Sequence, residues 1–326
     1  MRYIIYGAGA VGGVIGGRLF QHGRDVVLIA RGPHLEALRR DGLTLQSAEK
    51  SEQLAIPAVG SPAEIDFQDD DAVILTMKTQ DTEAALEELR AAAGTSIPVF
   101  CAQNGVENER LALRRFQKVY GVTVMLPAVH LAPGVVIANA SNKSGMLDLG
   151  RYPSGTDSLA QAVADDLNGS DFSVIVRESI MRWKYAKLLG NVGNALQAAC
   201  GLGADYGDIY GQIRDETLAC YRAAGIDCAD ADEVRERRDG VLGIDRSGPR
   251  RRGGSSWQSL ARGTGSIETD FLNGEITLLG RLHEVPTPAN ATMQDITSRL
   301  VREGAEPGSV TPDEVRQEIA ERAGAA

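Results

Sequence analysis

Four cysteines in 326 residues, none in a C-x-x-C pair, are too few and too scattered for a disulfide framework or a thiolate zinc site. Cys101, Cys200, Cys220 and Cys228 read as buried thiols of a cytosolic protein. Histidine is as scarce: His22, His34, His130 and His283 form no ligand cluster, and the sequence asks for no metal. No apolar run approaches the ~20 residues of a membrane span. The apolar N-terminus is broken by glycines and shows neither an h-region nor a small-residue cleavage site, so a cytoplasmic location without export is expected. Positive charge is short as well, with 34 Lys and Arg against 44 Asp and Glu. A formal charge of −10 and a pI near 5.0 argue against nucleic acid or an anionic membrane as the main partner, since both need a basic footprint. Internal repeats and low-complexity segments are absent.

What is present suits a globular protein of two domains: 43% hydrophobic residues, in a chain longer than a single core usually grows. The first stretch is the most informative. Arg2 to Tyr6 reads as a short buried strand running into Gly7-Ala8-Gly9-Ala10-Val11-Gly12, a G-x-G-x-x-G turn that opens a small-residue helix. Gly7 makes the tight turn, Gly9 lets the backbone approach a pyrophosphate, and Gly12 lets the helix pack on the strand. The helix N-terminus then faces the phosphates. Asp25 to Ile29 follows as a second strand and ends at Ala30-Arg31-Gly32, with no carboxylate to hold a ribose 2′-hydroxyl. Dinucleotide binding is expected, with NADPH favoured over NADH. As an isolated residue, Arg31 would be a solvated loop charge.

Farther on, Ala72 to Met77 is a continuous apolar run, as in a parallel strand buried on both faces. It ends at Lys78, and the strand Ile97 to Ala102 ends at Gln103-Asn104-Gly105, both at the carboxyl edge where open α/β sheets bind ligands. Gly42 to Ala58 and Gly134 to Gly150 look like β excursions. The alternation predicts a doubly wound, Rossmann-like α/β domain over 1–177. Long helices then predict an all-α domain over 178–302 and a charged, alanine-rich, partly disordered tail over 303–326. Its first helix, Ile180 to Cys200, carries Lys184, Lys187, Asn191 and Asn194 at spacings of three, four and three, hence on one face. Arg246, Arg250, Arg251 and Arg252 form a basic loop, either solvated or a flap near an anionic ligand.

Taken in order, these elements resemble the ketopantoate reductase family over about residues 1 to 300. The glycine turn, Arg31, Lys78, Asn104-Gly105, the K-x-x-x-N of Lys187 and Asn191, and Ser255-Ser256 followed by Glu268 in E-x-D-x-x-N-G all match its pattern. The resemblance implies a C-terminal domain like that of 6-phosphogluconate dehydrogenase. It also implies reduction of a 2-keto acid by NADPH, with 2-dehydropantoate (ketopantoate) to pantoate, in pantothenate and coenzyme A biosynthesis, as the leading reaction. Lys187 is then the general acid and Glu268 a partner of the substrate hydroxyl or of Lys187. Asn104, Asn191, Asn194 and Ser256 hold substrate, while Gly7 to Gly12, Arg31, Lys78 and Asn104 hold the cofactor. A homodimer is plausible on the resemblance alone. The chain departs from the family at Ala195, where a second Asn is common, at Gly253 and Gly254 before the serine pair, and at Trp257. Those changes fall on the substrate shell.

The residues leave alternatives open. Lys184 rivals Lys187, which could also be a snorkelling helix lysine. Glu268 could be a helix-start carboxylate, and Asn104 could merely occupy an Asn-Gly turn. At the level of function, the rivals are a reductase of another 2-keto acid, an opine or 3-hydroxy acid dehydrogenase, and a non-catalytic NADP-binding regulator.

Overall fold

The computed structural model describes residues 1–47, 50–244, 253–263 and 265–324. Contacts divide the chain into two units, Met1–Lys184 with Asp230–Arg251, and Tyr185–Ala229 with Arg252–Ala326.

In the first unit, β1 (Arg2–Tyr6) sends Tyr3 and Ile5 into one core and Ile4 and Tyr6 into another, the period of two that an extended backbone imposes. α1 (Ala10–Gln21), β2 (Asp25–Ile29) and α2 (Gly32–Asp41) follow. β3 (Leu43–Gln46) and β4 (Ser51–Leu54) pair antiparallel, and β5 (Ala58–Val59) returns to lie parallel to β2. Next come β6 (Asp71–Leu75), α3 (Thr79–Ala93), β7 (Val99–Cys101), α4 (Asn108–Leu113) and β8 (Val119–Val122). β9 (Ala128–Ala132), β10 (Val135–Ala138), β11 (Ala140–Asn142), β12 (Gly145–Met146), β13 (Leu149–Arg151), α5 (Ser158–Asn168) and β14 (Phe172–Ser173) complete the β-rich part. The main sheet has the order β13-β8-β7-β6-β1-β2-β5, parallel except for β13. The chain winds outward from β1 to β2 and later resumes at β6 on β1's other side. That reversal is the switch point at which doubly wound sheets bind ligands. A second sheet, β4-β3-β10-β9, packs against α1.

α6 (Ile180–Asn191) carries the boundary between the units, which falls after Lys184. The single helix expected over 180–200 is two: α7 (Asn194–Cys200) starts afresh after Val192 and Gly193, so Asn194 does not continue the face that holds Lys184, Lys187 and Asn191. α8 (Ile209–Ala223) belongs with α7. α9 (Ala231–Arg238) and β15 (Leu242–Ile244) group with the first unit, which cuts across the division expected at 177. Two ties hold them there: β15 pairs antiparallel with β11, and the buried Asp148 carboxylate accepts from Arg177 and from Arg237 of α9, at 2.9 and 2.6 Å. The basic loop at 246–252 lies outside the described residues.

α10 (Ser255–Ala261) resumes the second unit. A one-turn 3₁₀ segment, Thr269–Phe271, is followed by α11 (Asn273–Leu282). α12 (Pro288–Glu303) and α13 (Pro312–Gly324) end the chain. α13 lies in the stretch whose composition suggests partial disorder, yet it buries Val315 and Ile319, and Glu318 pairs with Arg299 of α12. No helix among the described residues is long and apolar enough to cross a membrane.

Candidate active site

The parallel strands β1, β2, β6 and β7 bring Gly7, Arg31, Lys78 and Asn104 to one sheet edge, as the sequence predicts. Gly7 has a φ of +103°, and a Cβ there would lie 2.9 Å from the Met77 nitrogen, so only glycine fits. A Cβ at Gly12 would collide with the Gly7 carbonyl and with Thr76, and would lie 2.9 Å from an Ile5 methyl. Gly9 differs. Among the described residues, its chain neighbours aside, nothing lies within 4 Å of a Cβ built on it, so packing does not demand glycine there, and the space in front of it suits a group that is not part of the chain. The N–H groups of Ala10, Val11 and Gly12, in the first turn of α1, have no intrahelical partner by the geometry of a helix. An open glycine beside unsatisfied donors fits a dinucleotide pyrophosphate.

Arg31 precedes α2, and its side chain is 62% exposed. Its one ion pair, to Glu88, is long at 3.4 Å, while Glu88 accepts a 2.6 Å bond from the Tyr6 hydroxyl. Lys78 is half-buried at the start of α3. Asn104 sits in an Asn-Gly turn, with Gly105 at φ +76°. A buried polar network joins the Lys78 and Asn104 loops. Gln103 donates to the Met77 carbonyl at 2.9 Å and to Thr82 at 2.8 Å. Thr82 donates to Asn108, which in turn donates to Thr79 and to the Asn104 carbonyl. Lys184 closes it: the ammonium, 3% exposed as a residue, is ion-paired with fully buried Glu109 and donates to the Gln103 carbonyl at 3.0 Å. Burial pushes the Glu109 carboxyl up, against the pull of Lys184. Lys184 is therefore committed to holding a loop, whereas Lys187, one turn later, is half-buried.

The second unit places the remaining residues. Asn191 ends α6 and Asn194 opens α7. Asn273 donates at 3.0 Å to the carbonyl of Val192, which ties the Glu268-to-Gly274 motif to the α6–α7 junction. Gln197 of α7 accepts from the Gly254 N–H at 3.0 Å, and a Cβ on Gly254 would lie 2.9 Å from Asn194 Cγ. These contacts draw the Ser255-Ser256 segment and Glu268 to the helices bearing Asn191 and Asn194, and they explain why glycine precedes the serine pair. Asn191 and Ser256 are buried, and neither Asn191 Nδ2 nor Ser256 Oγ has a hydrogen-bond partner among the described residues. Buried donors without a partner are costly, and such groups mark places where something else accepts the bond. Glu268 is buried and precedes the Thr269 turn, but its side chain caps no N–H there, which argues against a purely helix-start role. Among the described residues, no cluster of His, Cys, Asp and Glu is arranged to hold a metal, and the cysteines are free thiols.

A sequence model described as ketopantoate reductase PanE/ApbA matches residues 3–154, and a second, described as the C-terminal part of the same reductase, matches 179–300. The chain belongs to the ketopantoate reductase family. A 2-dehydropantoate 2-reductase of Pyrococcus abyssi is 32% identical over 59% of this chain, and the match spans 61% of that relative's length. A crystal structure of a PanE/ApbA family ketopantoate reductase from Ralstonia eutropha JMP134 is 28% identical, covering 93% of this chain and 99% of its own, at a TM-score of 0.79. D-mandelate dehydrogenase, solved with NADH and anilino(oxo)acetate, shares the fold at the same TM-score, with 23% identity and the same coverage.

Of three supports of this ketopantoate reductase fold, two escape a reading by motif. Thr76 donates at 2.7 Å to the Gly7 carbonyl, His34 reaches the Ala8 carbonyl, and Asn273 anchors the helix junction. Only Asn273 carried a signal, as the Asn of E-x-D-x-x-N-G.

Proposed function

We propose that this chain reduces a 2-keto acid to the 2-hydroxy acid with NADPH, with 2-dehydropantoate as the leading substrate. The observation that carries the reading is the pair of buried donors without a partner among the described residues, Asn191 Nδ2 and Ser256 Oγ, in the unit that also holds Lys187 and Glu268. When bound, NADPH would supply the hydride for the carbonyl carbon. The first-turn N–H groups of α1 would hold its pyrophosphate and Arg31 its 2′-phosphate, for which no competing carboxylate stands at the end of β2. Lys78 and Asn104 add cofactor contacts at the same edge.

Asn191 and Ser256, with Asn194, donate to the substrate's carboxylate and carbonyl. Lys187 gives its proton to the carbonyl oxygen as negative charge develops there, which leaves the hydroxyl of the product. Glu268 accepts from that hydroxyl or orients Lys187. A soluble cytoplasmic homodimer acting in pantothenate synthesis is the setting that goes with this reading.

A second reading changes only the substrate. Ala195 stands where a second Asn is common and Trp257 adds an indole after the serine pair, which favours a 2-keto acid with an apolar side chain. The likeness to D-mandelate dehydrogenase makes an aryl 2-keto acid the sharpest rival. The test is loss of NADPH or NADH absorbance with 2-dehydropantoate, phenylglyoxylate and short branched 2-keto acids. Highest kcat/KM with 2-dehydropantoate and NADPH is expected. Preference for phenylglyoxylate establishes the second reading, and no turnover of any 2-keto acid overturns both.

A further inference from the structure

One imidazole joins three stretches of the nucleotide-binding unit that are far apart in sequence. His34, in the first turn of α2, lies three residues after Arg31. Its Nε2 is 2.7 Å from the Ala8 carbonyl, and its Nδ1 is 2.8 Å from the Gly134 amide nitrogen between β9 and β10. A backbone N–H can only donate, so Nδ1 accepts and carries no proton. The ring is therefore neutral, with its proton on Nε2, and it donates to Ala8. Burial, which lowers the His34 pKa, favours the same state. The His130 ring, 4.3 Å away between centroids, packs against it from β9.

The Ala8 carbonyl matters because it shares a peptide plane with the Gly9 N–H. Thr76 holds the Gly7 carbonyl, and the Gly7 and Ala8 N–H groups both donate to Ile29. The strand does not hold the Ala8–Gly9 peptide: its N–H closes only a short turn to the Gly7 carbonyl at 2.7 Å, and glycine tolerates a flip of that plane. A flip would swing a carbonyl dipole toward the phosphates and away from its donor. We propose that His34 is a positioning residue for the cofactor pyrophosphate: its Nε2–H locks the Ala8–Gly9 peptide with the carbonyl turned away from the anion. The inference rests on the dinucleotide reading and is independent of which 2-keto acid is reduced.

The test measures Kd for NADPH and for adenosine 2′-monophosphate, which carries the 2′-phosphate and no pyrophosphate, in wild type, His34→Leu and His34→Gln. Leucine removes both bonds, whereas glutamine keeps an N–H donor at similar reach. The account expects His34→Leu to weaken NADPH at least tenfold, to leave adenosine 2′-monophosphate within about twofold, and to keep kcat at saturating NADPH within about threefold. His34→Gln should recover most of the NADPH affinity. Unchanged NADPH affinity in His34→Leu overturns the inference. So does equal weakening of both ligands, or a His34→Gln protein as weak as His34→Leu at an unaltered melting temperature. A wild type that binds neither NADPH nor NADH overturns the dinucleotide reading and this inference together. Binding without turnover of any 2-keto acid overturns the proposed reaction alone.

Discussion

Lys184 and Lys187 stand three residues apart on α6, and their residue type gives no reason to choose between them. Packing does. Lys184 neutralises a carboxylate that is otherwise sealed from water, so removing it strands Glu109. Lys184→Met is expected to cost about 3–5 kcal/mol in urea unfolding, and Lys184→Met with Glu109→Met to recover most of that. A single variant as stable as wild type would refute the structural role. The turn glycines separate in the same way. Among the described residues, Gly9→Ala meets no atom beyond its chain neighbours, and its φ of −72° suits alanine, so it should melt at the wild-type temperature while binding NADPH at least tenfold more weakly. Gly12→Ala should instead lower the melting temperature, because its methyl meets the Gly7 carbonyl and Thr76. Equal melting temperatures for the two variants would contradict this division. At this scale the sequence discloses residues whose type is itself the signal, such as Gly7 and Gly12. It hides His34, Thr76 and the tie from Asn273 to Val192, since those depend on partners 26 to 100 residues away.

The elements follow their sequence signals except where a side chain from elsewhere decides. The sequence predicts one helix from Ile180 to Cys200, yet the helix parts at Gly193, where the Tyr210 ring would lie 2.6 Å from any Cβ. Nothing within 180–200 announces that ring. α9 is the opposite case, because Asp230 and Glu233 form a capping box legible from their spacing. Glu233 does more than cap: both its oxygens receive Arg182, at 2.6 and 2.7 Å, which ties α9 to the start of α6. Those bonds, with the Asp230 N–H, pull its pKa down from 4.5 to about 2. A carboxylate with a depressed folded pKa stabilises the fold above its unfolded pKa and loses that contribution as pH falls through the folded one. Glu233→Gln should therefore be less stable than wild type at pH 7, with the gap closing between pH 4.5 and about 2. A gap independent of pH in thermal unfolding would show that the charge plays no part.

For the whole molecule, the strand–helix alternation and the later run of helices disclose the α/β-then-α architecture, because each element's burial leaves a period in its own residues. Which segments group together is not written locally. Asp230–Arg251 joins the nucleotide-binding unit through Arg237 and Asp148, a contact spanning 89 residues, and the C-terminal stretch folds into α13 by burying Val315 and Ile319. The buried donors Asn191 and Ser256, the open glycine turn and the half-buried Lys187 are what the proposed function rests on, an NADPH-dependent reduction of a 2-keto acid with a lysine acid. The measurement that tests it most directly is NADPH consumption with 2-dehydropantoate by wild type and Lys187→Ala, beside NADPH affinity. The account predicts a kcat at least about a hundredfold lower in the variant, the scale of a lost general acid, with NADPH binding intact. A Lys187→Ala protein that turns over at the wild-type rate would contradict it.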